Sequence, residues 1–83
     1  MGRNGGDPEL SKLPVTSGRE AIRAFEKIGY VVDHQTGSHV ILRNTKTPHR
    51  RLSVPDHREL AKGTLRKLVR EAGLSVEEFA SLL

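Results

Sequence analysis

Apolar residues recur along this chain with two different periods, and the changes of period divide it into elements. Ile22, Phe25 and Ile28 stand at helical spacing behind Ser17-Gly-Arg-Glu20. That tetrad is a capping box, in which serine and glutamate side chains each satisfy a backbone N–H left free at a helix start. Gly29 is placed to end the helix. The pattern then changes to short runs rich in β-branched residues at 30–34, 39–43 and 50–54, divided by Gly37-Ser38 and a turn over 44–48, and stopped by Pro55. Three strands joined by tight turns predict an antiparallel meander. Helical spacing returns with Leu65, Leu68, Val69 and Ala72, for which Thr64 is the expected N-cap and Gly73 the expected stop. Ser75 and Glu78 form a second capping box, with Leu74 placed to staple onto Phe79. Val76, Phe79, Ala80 and Leu83 give the last helix its apolar face.

The order helix, three strands, helix, short helix predicts an α+β fold with the helices packed on one face of a three-stranded antiparallel sheet. At 83 residues the chain has room for one core, expected over residues 10–83. Residues 1–9, rich in glycine and polar side chains, are expected to form a disordered extension. Domains of this size bury only about 60% of the unfolded chain's surface, which predicts modest stability. Cysteine is absent, so there is neither a disulfide framework nor a thiolate metal site. No apolar run approaches the roughly 18 residues of a membrane span, and a soluble cytoplasmic protein that does not engage membranes is expected.

Charge sharpens the picture through its distribution. Between residues 43 and 70 stand Arg43, Lys46, Arg50, Arg51, Arg58, Lys62, Arg66, Lys67 and Arg70, opposed only by Asp56 and Glu59, a net +7. Between 17 and 36 the charges cancel. A regional excess of this kind suits phosphate. The aromatic residues are few (Phe25, Tyr30 and Phe79), which argues against stacking of bases on an aromatic platform.

Just ahead of that basic stretch, Gly37-Ser38-His39 opens the run Val40-Ile41-Leu42. A tight turn feeding a β-branched strand is a stiff mount for an imidazole that can exchange a proton near neutral pH. Strand parity with Val40, Leu42, Leu52 and Val54 inward places His39, Ile41, Arg43, Arg51 and Ser53 on the open face, unless a bulge intervenes. A histidine among arginines suits RNA, which carries its own nucleophile, the ribose 2′-hydroxyl. The enzyme need only deprotonate that hydroxyl, stabilise the phosphorane charge and protonate the leaving 5′-oxygen. Acid–base help of this type contributes about 10²–10⁴-fold, and cations at the phosphate supply more. Gly37, Ser38, Arg43, Arg50, Arg51, Lys62, Thr64, Arg66 and Lys67 are the candidate RNA-binding residues. His57, in Ser53-Val-Pro-Asp-His57, is a candidate second proton-transfer group, and Lys62 adds charge beside a helix start that favours phosphate.

Competing chemistries fit less well. His34, His39, His49 and His57 match no usual zinc spacing, and the acidic residues are too scattered for a two-metal nuclease. No Gly-rich phosphate loop and no serine or cysteine nucleophile motif is present, so neither a metal nor another cofactor is expected. Two further readings are a non-catalytic RNA-binding module of the same fold and a DNA-binding regulator. The first needs no histidine at 39, and the second lacks a helix–turn partner for 65–72.

The segments SGREAIRAFEKIGY, GSHVIL, SVPDH and KGTLRKLVREAGLSVEEF, in that order, resemble the HicA (YcfA-like) toxins of bacterial type II toxin–antitoxin systems. The resemblance runs from residue 17 to about 79. It implies a fold like that of double-stranded-RNA-binding domains and an mRNA-cleaving ribonuclease that works without metal through the histidine of Gly-Ser-His, here His39. It also implies a HicB-like antitoxin partner that occludes the active site. It identifies no second catalytic group, so His57 and Lys62 rest on the residues alone.

Overall fold

A computed structural model of the chain describes residues 8–83. Of the extension expected over 1–9, residues 1–7 lie outside the described residues, and the last two belong to a 3-10 turn, Pro8–Lys12. There follow α1 (Gly18–Glu26), β1 (Tyr30–Thr36), β2 (His39–Asn44), β3 (Arg51–Pro55), α2 (Lys62–Glu71) and α3 (Val76–Leu82). The strands form one antiparallel sheet in the order β1-β2-β3, so the architecture is the α+β arrangement expected, with a helix–strand order consistent with a double-stranded-RNA-binding-like fold.

Both capping boxes form. Ser17 and Ser75 accept from the backbone N–H groups of Glu20 and Glu78, whose carboxylates accept in return from the serine N–H groups. The start of α1 is also held from outside, because Gly18 N–H donates to the His57 carbonyl at 2.8 Å. A Cβ at Gly18 would fall inside the Pro55 carbonyl, so this contact between α1 and the end of β3 requires glycine.

The core lies between the helices and one face of the sheet. Val40, Leu42, Leu52 and Val54 supply the sheet side, and Phe25, Leu65, Leu68, Val69, Val76 and Phe79 the helix side. Phe25 is fully buried between the rings of Tyr30 and Phe79, at centroid distances of 5.9 and 5.4 Å. Burial of a side chain of this size contributes about 1.5–3 kcal/mol. Leu13 and Leu60 complete the core from irregular segments that carry no periodic signal.

Three local expectations are corrected. In α1 the buried stripe is Ala21, Ala24 and Phe25, with Ile22 and Ile28 at its margins, because the small residues let the helix approach closely. In α3 the inward residue after Phe79 is Leu82, while Ala80 and Leu83 are exposed. In α2 the first residue is Lys62 and the N-cap is Ala61, which has no capping side chain, so Thr64 lies inside the first turn. Gly63 is tolerated there, and the helix simply extends past the expected cap.

Candidate RNA-cleaving site

The hairpin that carries His39 is tight. Thr36 and His39 pair across the two-residue tip, and Gly37 has φ +57°, which an L side chain rarely adopts. Among the described non-glycine residues only His49 has a positive φ, so the tip has the glycine-first form that matches strand twist. On the other side His39 stands opposite Pro55, and the Ser38 carbonyl accepts from Asp56 N–H at 2.7 Å. Both neighbours therefore fix the backbone at His39, while its side chain is exposed.

Parity on β2 and β3 follows the expected alternation. Val40, Leu42, Leu52 and Val54 are buried, which turns His39, Ile41, Arg43, Arg51 and Ser53 to the open face. A cleft of about 580 Å³ opens there, walled by His39, Ile41, Arg51, Ser53 and Pro55 from the sheet and by Thr64, Lys67, Leu68 and Glu71 from α2. Of the candidate residues it brings together His39, Arg51, Thr64 and Lys67. Gly37 and Ser38 adjoin it through the hairpin.

The other candidates stand elsewhere. Arg50 donates to the Glu71 carbonyl at 3.3 Å, at the C-terminal end of α2. Lys62 is exposed at the first position of α2, and Arg66 is half-buried on the same helix. His57 is exposed beyond β3, where its carbonyl serves the start of α1, and it does not line the cleft. Arg43 is on the open face but lies 3.6 Å from Asp33 Oδ1.

Asp33 is the feature that sequence reasoning missed. Val32 pairs with Leu42 and His34 with Ile41, so Asp33 is an extra residue, a β-bulge in β1. Through the bulge both Asp33 and His34 join the open face. Asp33 Oδ2 lies 2.7 Å from His34 Nδ1 and 3.2 Å from Arg51 Nη1. The hydrogen bond with His34, and then the one from Arg51, holds the Asp33 carboxyl below its ordinary range. Simple alternation would put Asp33 and His34 on opposite faces, and the adjacent Asp-His pair is the only trace the sequence offers.

Among the described residues no three His, Asp or Glu side chains converge as metal ligands, and no helix is long and apolar enough to cross a membrane. Compared with known proteins, residues 18–74 match the family described as the HicA toxin of bacterial toxin–antitoxin systems. No curated protein matches the chain significantly.

Proposed function

The chain belongs to the HicA toxin family of bacterial toxin–antitoxin systems, and from that premise we propose that it is an endoribonuclease that cuts mRNA in the cytoplasm and so blocks translation. The observation that carries this reading is the cleft itself, where a histidine fixed on a hairpin shares one wall with Arg51 and faces Lys67 of α2. His39 takes the proton of the ribose 2′-hydroxyl. The freed oxygen attacks the adjacent phosphorus, and the bond to the 5′-oxygen breaks. The products are a 2′,3′-cyclic phosphate and a 5′-hydroxyl. Lys67 and Arg51 supply positive charge where the phosphorane becomes more anionic. The first turn of α2, which carries Thr64 into the cleft and has no side-chain cap, adds backbone N–H groups that favour phosphate. No metal is assigned a part in this scheme. The partner that silences the toxin is a HicB-like antitoxin laid over the same face.

The test is incubation of the purified chain, and of its His39→Ala variant, with RNA in the presence of EDTA. Wild-type protein is expected to cleave and the variant to be inactive, with 2′,3′-cyclic phosphate ends in the fragments. Fragments with 5′-phosphate ends, loss of activity in EDTA, or full activity of His39→Ala would overturn the reading.

A further inference from the structure

Cleavage by attack of a 2′-hydroxyl needs a proton removed at one oxygen and another delivered to the leaving 5′-oxygen, and His39 accounts for one of the two. The cleft offers no second histidine. The bulge in β1 does. Thr36 pairs with His39 and His34 pairs with Ile41, so the two histidines are diagonal neighbours on the same face of adjacent strands. Diagonal Cα atoms are about 7–8 Å apart, within reach of aromatic and long side chains. Two imidazoles at that separation can stand on either side of one phosphodiester.

His34 is also oriented as a proton-transfer group should be. Its Nδ1 faces the Asp33 carboxylate at 2.7 Å, which fixes the ring and leaves Nε2 as the atom able to meet substrate. Asp33 is itself held by Arg51 from β3 and Arg43 from β2. The dyad is thus part of a network spanning all three strands. Bulges recur beside active sites because they re-aim a side chain, and here the bulge turns an acid and the histidine after it onto one surface.

We propose that His34, oriented by Asp33, is the second proton-transfer residue of this site and protonates the leaving 5′-oxygen while His39 takes the proton of the 2′-hydroxyl. The inference rests on the ribonuclease reading above. In this step the O2′–P bond forms and the P–O5′ bond breaks. The proton from O2′ ends on His39, and the proton from His34 ends on O5′. Solvent exchange then restores both rings. The scissile phosphate lies on the open face between the two histidines, within reach of Arg51, which lines the α2 cleft and extends to Asp33 beside His34. The charged and titratable groups around His34 are Asp33 on its own strand, His39 and Arg43 on β2 and Arg51 on β3, with Lys67 and Glu71 on the α2 wall of the cleft.

The experiment compares ordinary RNA with RNA carrying sulfur in place of the bridging 5′-oxygen at the scissile bond. A thiolate leaves without being protonated, so loss of the general acid no longer matters. His34→Ala, a change at a half-exposed side chain, is expected to slow cleavage of ordinary RNA about 10²–10⁴-fold and to flatten the alkaline limb of its pH–rate profile. On the sulfur-bridged substrate its rate should return to near the wild-type rate, and His34→Gln should behave alike. His39→Ala should be slow on both substrates. A wild-type rate for His34→Ala on ordinary RNA would overturn the proposal, as would a defect of equal size on both substrates. In either case activity lost in His39→Ala would leave the ribonuclease reading standing. A wild-type protein that cleaves neither substrate would remove that reading, and the role of His34 with it.

Discussion

Arg51 reaches from one edge strand of the sheet to the other, placing Nη1 3.2 Å from Oδ2 of Asp33 with β2 lying between them. In the proposed reaction this contact gives Arg51 two competing partners, an internal carboxylate and an incoming phosphate. Arg43 is shared in the same way, more loosely, at 3.6 Å. Part of the basic excess on this face is therefore offset by Asp33.

Replacing Asp33 should separate binding from turnover. Asp33→Asn releases both arginines to phosphate, so RNA is expected to bind more tightly and with a steeper dependence on salt. The same change weakens the fixation of the His34 ring, so kcat should fall. A lower kcat together with a lower KM is the expected signature in steady-state kinetics. If KM rises instead, Asp33 contributes to binding rather than opposing it.

The two faces of β2 and β3 were legible in the sequence because alternation there is unbroken, and Val40, Leu42, Leu52 and Val54 leave no other choice of inward face. On β1 the alternation fails at Asp33, since a bulge is set by how the strand pairs with β2 and leaves no trace in the sequence beyond the adjacent Asp-His pair. The chain after Pro55 misled for a similar reason. His57 reads as a catalytic neighbour of the third strand, yet Arg19 pairs with Asp56 and Gly18 N–H with the His57 carbonyl, which commits the turn to the start of α1. The early start of α2 was hidden by Gly63 and by Ala61, neither of which signals a cap.

Two glycines of similar appearance in the sequence should respond in opposite directions to a methyl group. At Gly18 an added Cβ meets the Pro55 carbonyl, and Gly18→Ala is expected to cost about 1–3 kcal/mol, as overpacking does. At Gly63, inside α2, an added Cβ meets nothing within 4 Å. Gly63→Ala should therefore stabilise by about 0.4–1 kcal/mol through the unfolded chain. Urea denaturation of the two variants checks both, and a Gly18→Ala protein as stable as wild type would show that the α1–β3 contact yields freely.

Acid should weaken the fold through two named carboxylates. Glu20 is held below its ordinary value of 4.5, first by the hydrogen bond from Ser17 N–H and then by the Ser17 hydroxyl. Asp33 is held below 3.8, first by His34 and then by Arg51. A carboxyl depressed in the folded state stabilises it above the unfolded value, and that stabilisation is lost as pH falls through the folded one. Melting temperature should therefore decline from about pH 5 to about pH 3 less steeply in Glu20→Gln and Asp33→Asn than in wild type. Parallel curves for all three proteins would show that neither group is linked to folding.

The antitoxin should recognise the open face of the sheet rather than the helical layer. His39, Arg51 and Lys67 are exposed together there, beside Asp33, which offsets some of their charge but does not cover them. An acidic surface seated in the cleft would compete with phosphate for Arg51 and Lys67 and exclude RNA from both histidines. Complementary charge also speeds association, so the on-rate should fall as salt rises. Binding to the folded toxin alone should raise its melting temperature by mass action, an effect easily seen in so small a domain. Hydrogen exchange with and without the antitoxin is expected to show protection in β2, β3 and the first turns of α2. Protection confined to α1 and α3, with cleavage still inhibited, would mean that inhibition works through the far face and leaves His39 open.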